Sequence, residues 1–402
     1  MTSLLALGST AEASGPNPVL QLIFGAFILF NIIALGGLFF GDRAKSAFIR
    51  ALPKILIYEV LIGATIVMAI PFYWMIVTSF KDKQTATAIP PIWTPSQVRN
   101  YAPDPETGKP VRVVALDIQR TKGQEVRVVR EDDMQFRAIE QSGYTVIKEA
   151  PVEGATIMKM DPSVFQSETV LSIDSKNFRR AWHRPEEASR GQVNFMTYFL
   201  VSIVTSLLAT AGTLFTSALA AFAFSRLNFW GKEAFFYIVL ATMMVPGQVL
   251  LIPNFLILSE LGLLDTYAAL VVPWLASVFT IFLMRQFFMT IPEDLWDAAR
   301  IDGASRFRYL WQVVVPLSVP VFITAGIFDF LNNWNSLLWP LIVTSTPSKR
   351  TLMVGLQNLN EDAGMDYHIV MAASTLTILP VVLLFFVLQR YFVEGIARTG
   401  LK

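Results

Sequence analysis

Between residues 292 and 310 the run PEDLWDAARIDGASRFRYL sets Glu293, Asp294, Asp297 and Asp302 against Arg300, Arg306 and Arg308, and long apolar runs flank it on both sides. Balanced charge between apolar segments offers recognition rather than catalysis, because a membrane chain gains little from such a block unless it meets a soluble partner. Local rules shape the block. Pro292 opens a helix, LWDAAR propagates it, Asp302-Gly303 breaks it, and Ser305 caps a second helix through FRYLWQVVV that enters the membrane at about Val313. On this reading Trp296, Phe307 and Tyr309 are exposed anchors for a partner groove. The competing reading is an interfacial helix lying among lipid headgroups.

A second group of polar residues lies inside apolar segments. These are Glu59, Asp329, Asn332, Asn333 and Asn335. Ionisable groups at such depth face a bundle interior or a water-filled path, so the readings open for Asp329 include a hydrogen-bonding strut between helices, a cavity-lining group and a proton relay. Other chemistry has little material. Cysteine is absent, and His183 and His368 are the two histidines, which excludes thiol catalysis and leaves no multi-histidine metal site. Gly231-Lys232 lacks the rest of a phosphate-binding loop, and no Ser-His-Asp arrangement stands out.

The elements that must position these residues follow from composition. The 402 residues are 53% hydrophobic and 16% charged, with a mean hydropathy of +0.50 and a net charge of +1. This is the balance of a polytopic membrane protein with no pull toward nucleic acid. Seven apolar segments have the length to span a bilayer, at about 19–40, 55–80, 196–225, 234–257, 266–289, 313–343 and 368–392. Prolines 246, 253, 273, 320, 340 and 380 fall in or beside them and predict kinks. Arg43, Lys45, Arg50 and Lys54, Arg226 and Lys232, Arg285 to Arg308, and Arg390 to Lys402 fall on alternate loops. The positive-inside rule then puts the N-terminus outside and the C-terminus in the cytoplasm. Residues 1–18 hold no Lys or Arg, so the first segment is read as a true helix rather than a signal peptide.

The expected fold is all-α and polytopic, with about seven transmembrane helices and an inserted small extracytoplasmic β-rich domain. Its parts are an extra N-terminal helix with a basic cytoplasmic loop (1–54), the first core helix (55–81), the insertion (82–195), and a five-helix core (196–402) containing the loop 290–312. The insertion is polar, yet 111–118, 125–131, 144–150, 155–160 and 170–174 are rich in Val and Ile and bounded by Gly and Pro.

The block at 292–310 also resembles the EAA loop of ABC importer permeases, whose pattern is E-A-A-x-x-D-G-A followed by P-L-x-x-P. Asp297, Ala298, Ala299, Asp302, Gly303, Ala304, Pro316, Leu317 and Pro320 occupy those places. Asp297 stands where Glu is usual, and Leu310 where Phe is common. Further similarity lies in PFYWMIVTSFK (71–81), PPIW (90–93), 243–288, NNWNSLLWPLIV (332–343) and the tail QRYFVEGIARTGLK. Together these resemble the maltose-G-like carbohydrate permeases over most of residues 55–402. NFRRAW (177–182) resembles a segment that usually follows PPIW closely, so the insertion and the helix at 19–40 depart from the six-helix core. A comparable insertion occurs in some α-glucoside permeases of this type.

The resemblance implies a multi-pass subunit of a bacterial inner membrane, forming half of a sugar pathway. It implies as partners a maltose-F-like second permease, two ABC ATPase subunits and an extracytoplasmic sugar-binding protein. ATP and Mg2+ would be bound by the ATPase, with no cofactor and no catalysis in this chain. Glu293, Trp296, Asp297, Ala298, Ala299, Arg300, Asp302, Gly303, Ala304, Ser305, Arg306 and Phe307 would form the ATPase-coupling surface. Because sugar rings stack on aromatic faces, Trp334 and Trp339, with Asp329, Asn332 and Asn335, are translocation-path candidates. Trp also marks membrane interfaces, and in the maltose system the partner permease makes most sugar contacts. Two other classes remain open at this point: an ion-coupled transporter using Glu59 or Asp329, and a membrane-anchored binding or sensing protein working through its β-rich part.

Overall fold

The computed structural model describes residues 42–89, 91–104, 108–115, 126–141, 144–160, 165–183, 195–363 and 367–399. The predicted span at 19–40 lies outside them. The chain divides into two compact units.

The first unit is built on α1 (Asp42–Ser79), whose apolar stretch Leu52–Ser79 is long enough to cross a membrane. Tyr58, Val60, Val67 and Met68 are all more than 60% exposed, so α1 needs lipid or another subunit around it. Its C-terminal carbonyls are taken by side chains. Asn177 Nδ2 donates to Ser79 O at 2.9 Å and Lys81 O at 2.6 Å, and Gln97 Nε2 donates to Phe80 O at 3.2 Å. Trp93, from the PPIW run, stacks on Tyr73 and meets Trp74 edge-on. Lys81 is buried beneath this cluster, its ammonium 4.1 Å from the Trp74 ring centre and donating to Ile92 O.

Beyond it comes a five-stranded antiparallel sheet of order β6-β3-β2-β1-β7. The strands are β1 (Ser96–Pro103), β2 (Pro110–Ala115), β3 (Val126–Arg130), β6 (Met158–Met160) and β7 (Gln166–Leu171). β4 (Met134–Gln141) and β5 (Tyr144–Pro151) form a separate pair. Ala102, Val113, Val128 and Met158 bury one face of the larger sheet, with Val111 and Phe165 against them. The polar run of β1 gave no strand signal in the sequence, although β1 is the strand that joins β2 to β7. Ser172 N donates to Pro95 O at 3.0 Å, so the strands leave the chain and return to it at nearly one point, beside α2 (Lys176–His183).

The second unit is organised around α3 (Phe195–Arg226), which carries Ala209, Ala218 and Ala221 fully buried. Small residues let membrane helices approach closely. At Gly212 a Cβ would stand 2.2 Å from Leu275 Cδ2, so this position has no room for a side chain. The other elements are α4 (Lys232–Ala241), α5 (Leu251–Glu260), α6 (Tyr267–Val271), α7 (Val278–Met289), α8 (Asp294–Ile301), α9 (Arg306–Tyr309), α10 (Val319–Trp334), α11 (Leu338–Val343) and α12 (Leu352–Ala363). α13 (Tyr367–Thr399) follows, and of it the part from Leu376 belongs to this unit.

Three predicted spans are broken rather than continuous. Residues 232–260 bend by 92°, 267–289 by 44° and 306–334 by 82°. The single span expected over 313–343 is corrected accordingly: its first arm starts at Arg306, it breaks at Ser318 and ends at Trp334, and α11 is separate. Proline accounts for the first break, since Val245 is extended ahead of Pro246. In the second, Thr213 and Thr216 of α3 donate to the carbonyls of Trp274 and Leu275, and Ser277 caps α7 by accepting from Thr280 N at 3.2 Å. In the third, a π-helical segment over Leu310–Val314 precedes Pro316, which lacks an N–H and crowds the preceding turn. Pro53, Pro71 and Pro380 lie inside helices that continue through them.

Asp265 ties two loops of this unit together. Its backbone is left-handed, at φ 52°. Its carboxylate accepts from Ser345 N at 3.0 Å, Thr346 N at 2.9 Å, Thr346 Oγ1 and Lys349 Nζ. Burial alone would raise its pKa, but these donors outweigh it and hold the carboxyl well below the usual range.

Burial pushes Lys81 from its usual 10.5 down to about 8. A base lowered in the folded state binds fewer protons there than when unfolded, so stability rises with pH between these values and levels off below 8 and above 10.5. The gain is at most about 3 kcal/mol. Melting in detergent micelles is expected to rise from pH 7 to pH 10, and Lys81→Met is expected to flatten that dependence. Equal pH slopes for the two proteins would disprove the assignment.

Candidate functional site

The charged block folds as the sequence spacing predicts. α8 runs from Asp294 to Ile301, with Asp294 and Asp297 in its first turn and Arg300 in its last, each matching the helix dipole. Glu293 occupies the N-cap without a side-chain cap bond. The helix closes in a Schellman motif: Ala304 N donates to Ala299 O at 2.9 Å and Gly303 N to Arg300 O at 3.1 Å. Gly303 is at φ 73°, with no atom near the position of a Cβ. Its requirement is therefore conformational and not one of space. Ser305 caps α9 by accepting from Arg308 N at 3.2 Å.

Burial divides the block into two faces. Trp296 and Ala299 pack on a cluster made by Phe222, Met284, Phe288, Ile291, Tyr309 and Leu310. Tyr309 is 1% exposed and meets Trp296 edge-on at 5.0 Å and Phe222 at 6.2 Å. The expectation that Tyr309 and Trp296 point outward is thus corrected: both look inward. Phe307 does face out, at 60% exposure, and Ile301 is 87% exposed. Glu293, Asp297, Ala298, Arg300, Asp302, Gly303, Ser305 and Arg306 are exposed, and Ala304 is half-buried. Ile301 was missed from sequence. An isolated Ile at the end of a short helix carries no signal of which face it takes.

The root of the block is held by arginines. Arg226, the last residue of α3, donates to the carbonyls of Phe288 and Ile291. In the reverse direction Arg285 of α7 donates through Nε to Phe224 O at 3.2 Å, lies 4.0 Å over the Phe236 ring and pairs with Glu233 at 3.4 Å.

The translocation-path candidates fall into two groups. Trp334 is 1% exposed, stacked on Phe330 and edge-on to Phe199. Trp339 is buried against Trp274, and its indole N–H donates to Ala269 O at 2.9 Å. Both are packed within this chain and present no free ring face. Asp329 is buried and accepts from Thr280 Oγ1 of α7 at 2.9 Å, while Asn333 Nδ2 donates to Asp329 O at 2.8 Å. Asn332 and Asn335 are exposed. Glu59 is half-buried on α1 in the other unit. Among the described residues no group of His, Asp and Glu has metal-binding geometry.

Residues 212–398 match the family described as binding-protein-dependent transport system inner membrane component. The sn-glycerol-3-phosphate transport system permease protein UgpE of Yersinia pestis bv. Antiqua (strain Antiqua) is 34% identical over 241 residues, covering 59% of this chain and 85% of that one. The arabinooligosaccharides transport system permease protein AraQ of Bacillus subtilis (strain 168) is 35% identical over 208 residues, covering 52% and 74%. A solved chain of a bacterial ABC transporter involved in import of the acidic polysaccharide alginate shares the fold. Its TM-score is 0.56 at 21% identity, over 85% of this chain and 98% of that one. With broken apolar spans, a two-faced charged loop between two of them and relatives matched over most of their length, the chain belongs to the inner-membrane permease subunits of binding-protein-dependent ABC importers.

Proposed function

We propose that this permease subunit imports a sugar, an α-glucoside-like oligosaccharide of the maltose type, and that it receives the force of ATP hydrolysis through residues 293–307. The observation that carries the reading is the two-faced α8. Trp296 and Ala299 fix it to the core, while Asp294, Asp297, Ala298 and Ile301 are left outside. An ATPase cleft is the proposed occupant of that outer face, with ATP and Mg2+ bound there and not in this chain. The sugar assignment draws on the maltose-G-like motifs and on a relative named for arabinooligosaccharides. The full assembly is this chain, a maltose-F-like permease, two ATPase subunits and an extracytoplasmic binding protein. The N-terminus lies outside and the C-terminus in the cytoplasm, following the basic residues of alternate loops. ATP-driven closure of the ATPase pair moves α8, opens the pathway to the binding protein, and is reset by hydrolysis.

Gly303 gives the sharpest test. Proline holds φ near −65°, against the 73° required here, whereas Asn tolerates the left-handed region. In the reconstituted complex Gly303→Pro is expected to lose ATPase association or at least about tenfold in transport, and Gly303→Asn to keep most of both. Survival of association and transport in Gly303→Pro would sink the docking assignment.

A second test addresses the ion-coupled alternative. The Thr280 bond supports a structural role for Asp329, and Asn preserves an acceptor there while abolishing any proton relay. Asp329→Asn is expected to transport at close to the wild-type rate with ATP. Loss of transport in an intact Asp329→Asn complex would favour the relay.

We further propose that the β-rich insertion lies on the extracytoplasmic side and contacts the binding protein. The Pro95–Ser172 hydrogen bond makes a clean excision feasible. Replacing residues 98–171 by a short Gly-Ser linker should leave the complex assembled and lower its affinity for the binding protein by about tenfold. Unchanged affinity and transport would reject this role.

A further inference from the structure

We propose that Arg226 is a positioning residue for ATPase coupling, joining the root of the charged block to α3 so that α3, α7 and α8 respond as one body. The inference deepens the docking reading and rests on it.

α7 ends at Met289. The closing turn supplies some of its last carbonyls with backbone donors, Thr290 N to Phe287 O at 3.0 Å and Ile291 N to Phe288 O at 3.3 Å, but Pro292, with no N–H, cannot extend the ladder to Ile291 and beyond. Phe288 O and Ile291 O are both taken by the Arg226 guanidinium, a cation where the dipole of α7 favours one. Phe288 and Ile291 are themselves buried, at 0% and 6% exposure. Arg226 Nε is buried without a hydrogen-bond partner, so the group is inserted into the structure rather than laid over it. Ile291 is the residue before Pro292, and α8 begins two residues later. Arg226 therefore holds the last fixed point before the docking helix.

Two further contacts make the link stiff. One turn before Arg226 on the same helix, Phe222 packs on Tyr309, which in turn packs on Trp296 of α8. In the opposite direction Arg285 of α7 donates to Phe224 O of α3. Each helix thus caps the other's terminal carbonyls with an arginine. A displacement of α8 is passed to α3 and α7 together, because moving one helix alone would break the arginine bonds to Ile291 O and Phe224 O. Lys in place of Arg226 keeps the charge but presents a compact ammonium on a flexible stem, a poorer bridge for two fixed acceptors.

The test uses the complete complex in nanodiscs: both permeases, the ATPase and the binding protein loaded with sugar. The chain has no cysteine, so Ile301→Cys carries a benzophenone maleimide as the sole photo-cross-linker on this subunit. Arg226→Gln and Arg226→Lys are compared with the unsubstituted background. The readouts are cross-linking to the ATPase and the ratio of ATPase rates with and without loaded binding protein. The expected result is retained cross-linking in both variants, with the stimulation ratio reduced about tenfold in Arg226→Gln and less in Arg226→Lys. An unchanged ratio in both variants would overturn the proposal. So would failure of both to assemble, which would mark Arg226 as a purely structural residue. Absence of cross-linking in the unsubstituted background would bring down the docking reading and this inference with it, and so separates the two failures.

Discussion

A backbone carbonyl freed inside a bilayer has no water to turn to, and much of this structure follows from how that need is met. Several helix ends and one break are closed by side chains from elsewhere in the same unit. Thr213 and Thr216 serve the break near Leu275, Arg226 and Arg285 serve the adjoining ends of α3 and α7, and Asn177 and Gln97 serve the end of α1. Each repair fixes one element against another. The 44° bend within 267–289 is therefore made without stranding the carbonyls of Trp274 and Leu275, and it comes with its orientation already specified.

The parts legible in the sequence were those with local causes. Apolar length located the spans, Asp302-Gly303 located the turn, and Ser305 located the next cap. The turn could be read because only a residue tolerant of positive φ closes a Schellman motif cheaply. Tyr309 was misplaced because its neighbours Phe222 and Trp296 lie far from each other in the chain, and periodicity over four residues of α9 assigns no face. The breaks at Leu275 and Ser318 were only partly legible. Prolines 273 and 320 flagged them, but Pro380 carries the same flag in a helix that continues. β1 was missed because SQVRNYAP is polar, and its place in the sheet comes from pairing with β2 and β7.

Asp329 shows how pairing changes the weight of a functional reading. A buried carboxylate in an apolar helix suggests ion movement when only the sequence is known. With Thr280 donating to it, and Asn333 bonded to its backbone oxygen, the group has a partner on α7 and a neighbour on its own helix. Its geometry resembles a polar strut between two helices. Trp334 and Trp339 change in the same way, since rings already stacked on Phe330 or edge-on to Trp274 have no face left for a sugar. Asn332 and Asn335 of the same segment are exposed.

The two-faced build of α8 bears on how a partner is met. An eight-residue helix is marginal in water by itself, and a disordered loop would lose binding energy to its own ordering. Trp296 and Ala299 remove that cost by docking one face on Tyr309 and Phe222 beforehand. The Schellman turn and the Ser305 cap then fix both ends of the connection to α9. What remains outward, with Asp294, Asp297, Ala298 and Ile301, is a small rigid surface of mixed charge and exposed apolar area. In the proposed coupling role, a partner that shifts this surface must also shift the aromatic cluster beneath it.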